Sequence, residues 1–299
     1  MLQARCLLAG NVTVAVVRGA LIVTGDRLDN SIQLEGSGLL AGEFRITGND
    51  VTTVNRNPFE LFRGVTRGLR IKLDDGEDVL SLINADFPMD VRIDGGPGGN
   101  LLEINSTTIG RDLTIWNGGE DDVVSLLDVL VRNNMSVHNG DGRGLTSIQE
   151  SEILGRLTVK NQEGSDDTRI ENSTVDKGVT IDNGNGGSFT LTDSSTMRES
   201  LTIRNREGFD HTRLVDSILL KSVSIENGNG GTFTFSDGST IGGPLSIGNR
   251  EGFDDTRLED SEVRANATIT NGNSGSFTKT LRSRRASPWS MAMEVVLAP

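Results

Sequence analysis

The sequence is short of the large and reactive residues that most globular proteins use. Its 299 residues include no tyrosine, one cysteine, two histidines and two tryptophans, and aromatic residues make up 4% of the chain. Because large side chains fill most cores, their scarcity predicts a thin, regular interior. The single Cys6 excludes an internal disulfide and argues against a cysteine-based zinc site. No apolar run approaches the roughly 18 residues of a membrane helix, so we expect no membrane insertion.

The charge balance restricts the classes of partner. The formal net charge is −13, which argues against nucleic acids and anionic membrane surfaces and suits an exported protein or one that meets cations. The N-terminal stretch lacks the basic region and long apolar segment of a whole signal peptide. We therefore expect an extracellular or cell-surface protein whose signal region is missing upstream of Met1.

Glycine is abundant, and the chain repeats itself. The stretches 205–217 and 249–261 are nearly identical and lie 44 residues apart. Stepping by half that interval finds apolar residues 22 apart, without insertion, at Leu69, Val91, Leu113, Met135, Leu157, Val179, Leu201, Val223, Leu245 and Ala267. A second apolar column follows two positions later, from Ile71 to Ile269. Apolar residues separated by one polar residue indicate the inward face of a short strand.

A strict 22-residue unit with short strands and glycine turns predicts an all-β fold, a single-stranded parallel β-helix or β-solenoid, in which neighbouring coils pair in parallel. Helical repeat arrays are excluded because no helical period occurs within the unit. Right-handed winding is favoured, although the sequence leaves left-handed winding open. We assign residues 51–281 to about ten coils and residues 11–50 to a β-rich N-terminal cap that covers the open end.

The two termini differ from the coils. Residues 1–10 form an export-associated motif remnant, and residues 282–299 form an irregular tail, basic and then apolar, at which a reading-frame change or truncation is expected. An uncovered last coil would leave a strand edge for end-to-end or edge self-association.

One asparagine recurs in eight consecutive coils, at Asn117, Asn139, Asn161, Asn183, Asn205, Asn227, Asn249 and Asn271. Stacked asparagine amides bond to one another along the rod, and asparagine tolerates a left-handed corner. We assign this ladder a structural role in preference to a ligand-binding one. Glycines and a serine column mark the other turns.

Calcium is the one cofactor that the acidity suggests. The stretches DDGEDVLSL and GGEDDVVSL resemble RTX-type calcium β-rolls, but those repeat every nine residues. The aspartates of one column recur only on alternate coils, which favours solvated turn carboxylates over shared calcium sites. The metal-ligand candidates are Asp78, Asp121, Asp122, Asp166 and Asp167.

We predict no catalytic residues. The coils carry no insertions that would wall a cleft, and His138 and His211 are far apart in coil order. The pairs Asp210–Arg213 and Asp254–Arg257 repeat, which favours surface ion pairs over a unique active site. Phe209 and Phe253 lie beside acidic turns, and two roles are open for them. They form an exposed strip on which sugars stack, or they pack over the neighbouring coil.

The first residues suggest a family. The stretch LQARCLL resembles the LEPR-XLL motif of large exported or surface bacterial proteins: Leu2, Arg5, Leu7 and Leu8 match, while glutamine and alanine replace the motif's glutamate and proline. The following GALIVTGDRLDNSIQLEG and FRITGND also resemble the segment after that motif in bacterial surface repeat proteins. The resemblance implies export and a β-solenoid body, with no established chemistry.

Three hypotheses remain open. The first is a non-enzymatic extracytoplasmic module with a structural or adhesive role, whose partner is a surface glycan or a protein. The second is a carbohydrate-binding or polysaccharide-degrading β-helix. The third is a calcium-stabilised, RTX-like rod.

Overall fold

The computed structural model describes residues 10–272, 277–280 and 293–297 as strands joined by turns. Among these residues, none form a helix that is long and apolar enough to span a membrane. The fold is all-β, as predicted, and consists of about nine stacked parallel coils about 22 residues apart. The handedness of the coil stays a prediction.

The N-terminal strands are β1 Asn11–Val17, β2 Ala20–Thr24, β3 Ser31–Glu35, β4 Phe44–Gly48, β5 Thr53–Val54 and β6 Phe59–Phe62. The coils then begin with β7 Leu69–Lys72, β8 Val79–Ile83, β9 Asp86–Phe87, β10 Val91–Gly96, β11 Leu101–Ile109, β12 Leu113–Asn117, β13 Asp122–Val131, β14 Met135–His138, β15 Gly144–Gln149, β16 Glu152–Ile153, β17 Leu157–Lys160 and β18 Asp166–Glu171. They continue with β19 Thr174–Val175, β20 Val179–Asp182, β21 Ser188–Asp193, β22 Thr196–Met197, β23 Leu201–Arg204, β24 Asp210–Val215, β25 Ile218–Leu219, β26 Val223–Glu226, β27 Thr232–Asp237, β28 Thr240–Ile241, β29 Leu245–Gly248, β30 Asp254–Glu259, β31 Glu262–Val263, β32 Ala267–Asn271, β33 Phe277–Thr280 and β34 Met293–Leu297.

Each regular coil contributes to three parallel ladders. The first sheet contains the strands that carry the columns from Leu69 and Ile71, and Leu69 pairs with Val91 as the 22-residue period requires. The second sheet contains the longer strands such as β21, β24 and β27, again in register at 22 residues. The third ladder consists of two-residue strands such as β25 and β28. The predicted inward columns are buried in the structure.

The N-terminal region is part cap and part coil. Strands β2 and β3 pair in parallel with β7 and β8, so they form a coil of the solenoid instead of a separate cap. Strand β1 pairs antiparallel with β2, and β4 pairs antiparallel with β3, and these strands cover the two sheet edges. Equivalent positions here lie 48 residues apart because β4 to β6 are inserted between two coils.

The described part of the tail consists of residues 293–297. Strand β34 pairs in parallel with β32 and extends the first sheet by one strand. The LEPR-XLL-like stretch and the remainder of the tail lie outside the described residues.

The asparagine ladder forms the predicted hydrogen bonds. In each step the Nδ2 of one asparagine donates to the Oδ1 of the next, from Asn117 to Asn139 at 3.0 Å and onwards to Asn227 to Asn249 at 2.6 Å. The side chain of Asn271 lies outside the described residues. The ladder asparagines do not have positive φ angles, so the expectation of a left-handed asparagine corner was wrong. Left-handed residues such as Asn172 and Ser194 instead precede the serine column at another corner.

Candidate ligand-binding face

One column of aspartates lies inside the rod and not in solvated turns. The exposed fraction is 1% to 3% for Asp78, Asp122, Asp166, Asp210 and Asp254, which we call the aspartate column. The prediction of solvated carboxylates was wrong because these residues lie at the first position of the second-sheet strands, or immediately before it for Asp78, and face inwards. Each Oδ1 accepts a hydrogen bond from the preceding coil, for example from the Asn100 backbone N–H at 3.0 Å.

Burial dominates the electrostatics of this column. It raises the pKa of Asp78 to about 7 and the pKa of Asp122, Asp166 and Asp210 to about 6, and it raises the pKa of Asp254 as well. The Oδ2 atoms of Asp78, Asp122, Asp210 and Asp254 are buried without a hydrogen-bond partner. A buried carboxylate oxygen without a donor disfavours the ionised form.

The two carboxylates in each candidate metal-binding pair, Asp121–Asp122 and Asp166–Asp167, point in different directions. Asp121 is exposed and accepts the backbone N–H of Arg143, which lies in the next coil, whereas Asp122 is bonded to the previous one. Asp166 faces inwards, whereas Asp167 forms an ion pair with Arg169 on the outer surface. Within the described part of the chain, no group of three or more histidine, cysteine or acidic side chains is placed to hold a metal ion.

The outer surface of the second sheet carries a concentration of aromatic rings. Phe189, His211 and Phe233 stand in one column on consecutive coils, with ring centroids 5.3 and 4.6 Å apart in edge-to-face geometry. Phe235 lies 6.1 Å from Phe233 and contacts the guanidinium of Arg213, whose Cζ is 5.5 Å from the ring centroid.

These aromatic residues face outwards because small β-branched residues occupy the interior. The column that holds Leu80 and Leu102 continues as Thr146, Thr168, Thr190, Thr212, Thr234 and Thr256, all buried. Neighbouring positions in a strand point to opposite faces, so Phe189, Phe233 and Phe235 are directed outwards.

Two ion pairs flank this surface. On one side the Nε and Nη2 of Arg169 donate to Asp167, with the shortest distance 2.7 Å, and on the other side Arg257 binds Asp255 in the same way at 2.6 Å. Each arginine therefore pairs with the carboxylate two residues earlier on its own strand. The predicted pairs Asp210–Arg213 and Asp254–Arg257 were wrong because Asp210 and Asp254 face inwards.

Both sequence candidates for a ligand contact lie at the edge of this surface. Phe209 and Phe253 are 61% and 54% exposed and immediately precede β24 and β30. A Cβ atom placed on Gly231 would lie 2.8 Å from Cδ2 of Phe209, so one part of that ring packs over the neighbouring coil while most of it stays exposed. The packing over the neighbouring coil is confirmed for part of the Phe209 ring, and the sugar contact stays a prediction.

We define the aromatic–arginine face as Phe189, Phe209, His211, Arg213, Phe233, Phe235 and Phe253 with the flanking pairs Asp167–Arg169 and Asp255–Arg257. The sequence did not reveal most of this face. In strands β21 and β27 phenylalanine and threonine alternate, and the pattern alone does not show that the threonines face inwards and the phenylalanines outwards. The available signal was the 22-residue column, which places Thr190 and Thr234 in register with buried Leu102.

The remaining polar features lie elsewhere. His138 is in the first sheet, where it stacks on Trp116 with ring centroids 6.2 Å apart, so the structure does not bring the two histidines together. Near the N-terminal end, Arg67, Arg70 and Arg92 line a surface pocket of about 180 Å³ that also contains Asp90. No protein-family model, curated protein or solved structure matches the chain.

Proposed function

We propose that this chain is a non-enzymatic, extracytoplasmic β-solenoid module that adheres to a surface glycan through the aromatic–arginine face. The observation that carries the proposal is the gathering of outward rings on consecutive coils, at Phe189, His211 and Phe233, beside a column of buried threonines. Aromatic side chains provide flat apolar area together with limited rotational freedom, which suits contact with the apolar faces of sugar rings.

The coil geometry supports an extended ligand. Neighbouring coils are spaced about 4.8 Å apart, so the face presents a ladder of rings and guanidinium groups along the rod. The resemblance of the first residues to exported surface proteins supports an extracytoplasmic location. The uninterrupted coils support binding without catalysis.

The test is a glycan array probed with the full chain and with the double substitution Phe209→Ala and Phe253→Ala. Both residues are exposed, so the substitutions should leave the thermal melt unchanged while reducing binding. The matched control is Phe59→Ala, which removes a ring that is 59% exposed but belongs to the N-terminal β6. No glycan bound by the wild type, or equal binding by the double variant and the control, would overturn the proposal.

A further inference from the structure

The coil that contains β24, at the centre of the aromatic–arginine face, differs at two acidic positions from the coils that contain β18 and β30, each of which lies two coils away. Strands β18 and β30 have the sequences DDTRIE and DDTRLE, whereas β24 between them has DHTRLV. His211 therefore stands where those two coils have the aspartate that pairs with arginine. Val215 stands where those two coils have an outward glutamate, while the two adjacent coils carry Asp193 and Asp237 in the same column.

These replacements leave one arginine without its carboxylate. Among the described residues, Arg213 forms no ion pair with a partner within 4.0 Å, and its buried Nε has no hydrogen-bond partner. The buried Nε2 of His211 also has none. Both flanking arginines bind a carboxylate through Nε and Nη2, so the backbone geometry at this position is one that suits a bidentate carboxylate.

The surroundings of Arg213 complete a binding subsite. Phe235 lies against its guanidinium, and Phe233 and Phe189 flank His211 on the two neighbouring coils. The pKa of His211 is lowered, by burial and then by the charge of Arg213, so the imidazole is neutral at neutral pH and Arg213 is the cation. A ligand that fits must therefore carry one carboxylate beside an apolar ring surface.

We propose that Arg213 is the specificity-determining residue of the face and pairs with the carboxylate of a uronic acid unit in an acidic polysaccharide. The sugar carboxylate takes the role that Asp167 and Asp255 have two coils away on either side. The neighbouring phenylalanines contact the apolar faces of the sugar rings. This inference rests on the proposed function and names the glycan class.

The experiment measures binding of an oligogalacturonate and of its methyl-esterified form, which keeps the rings and removes the charge. The full wild-type chain should bind the free acid about tenfold or more tightly than the ester. The substitution Arg213→Leu should lose that preference, and leucine is tolerated in this column because Leu191 occupies it one coil earlier. Arg92→Leu in the separate basic pocket is the matched control and should bind like the wild type.

A second variant keeps the test independent of folding. His211→Asp recreates the DDTR sequence of β18 and β30, so it should melt at the wild-type temperature or above. It should nevertheless lose binding of the free acid, because its own carboxylate occupies Arg213.

The outcomes separate the two proposals. The uronate assignment is overturned if both Arg213→Leu and His211→Asp bind like the wild type, or if the acid and the ester bind equally. The glycan-array result with the Phe209 and Phe253 substitutions then decides the proposed function by itself. Failure of the wild type to bind the free acid also overturns the assignment. Equal binding of an aspartate-rich peptide, with the same loss in both variants, would instead indicate a protein partner.

Discussion

The aspartate column predicts that the rod becomes more stable as the pH falls from about 8 to about 5. Burial raises the pKa of Asp122 from its ordinary value of 3.8 to about 6. Because the folded-state pKa is above the unfolded value, the carboxyl contributes its stability below about pH 4 and loses it as the pH rises through about 6. Asp78, with a pKa of about 7, extends the same dependence to neutral pH.

The magnitude can be tested with Asp122→Asn. One pKa unit corresponds to about 1.4 kcal/mol, so this shift sets an upper limit of about 3 kcal/mol. The column lies next to a turn, and water screening reduces the expected gain to about 1 kcal/mol.

Asparagine suits the site. Asn100 occupies the same column and donates to the Gly98 carbonyl at 2.6 Å, two residues earlier. We therefore expect Asp122→Asn to raise the melting temperature at pH 8 by about 2–4 °C and to flatten the pH dependence.

The assay is thermal unfolding followed by circular dichroism from pH 5 to pH 8. Asp121→Asn makes the same charge change at the exposed neighbouring residue, whose charge contributes less than burial to the raised pKa of Asp122, and should change the pH dependence only slightly. A variant at Asp122 that is less stable than the wild type at pH 8, or that keeps the full pH dependence, would refute the reasoning. A calcium-dependent rise in the melting temperature that Asp122→Asn abolishes would instead assign these carboxylates to a cation.

Three further predictions concern the turns and ladders. Asn227→Ala removes the acceptor of Asn205 Nδ2 and should lower the free energy of unfolding by about 1–3 kcal/mol in denaturant titrations; a neutral result would contradict the ladder's stabilising role. Ser195→Ala removes the acceptor of the Ser173 backbone N–H at 3.1 Å and should cost about 1–3 kcal/mol in the same titration, whereas exposed Ser194→Ala should change it by less than about 0.5 kcal/mol. Gly230→Ala should reduce the yield of folded protein, because φ is 133° and the added Cβ would lie 2.0 Å from the Gly208 carbonyl oxygen; normal yield and melting would show that the corner relaxes.

The coil period was predictable because every coil stacks the same position on itself. A column such as Leu69 and Val91 must be inward in all coils once it is inward in one, so the first sheet and the asparagine ladder follow from spacing alone. The N-terminal coil was not predictable in this way, since the insertion between β3 and β7 breaks the period.

The candidate site was harder to predict for a physical reason. Local alternation in SFTLTD favours an inward Phe189, because burying an aromatic ring is more favourable than burying a threonine. The stack overrides that preference, because Thr190 continues a column of buried residues that runs from Leu80 to Thr256 and the register of the coils fixes which positions face inwards. The role of Arg213 depends on which aspartate faces outwards, and composition and spacing alone did not determine this.

The central claim is that a ligand contacts the second sheet at Arg213, and side-chain proton–nitrogen correlation NMR tests it most directly. On addition of oligogalacturonate, the account predicts that the Nε–H resonance of Arg213 moves most among the arginines. The resonances of Arg169 and Arg257, which are already paired with aspartates, should change little. Movement confined to Arg70 and Arg92, or no movement at Arg213 under saturating ligand, would contradict it.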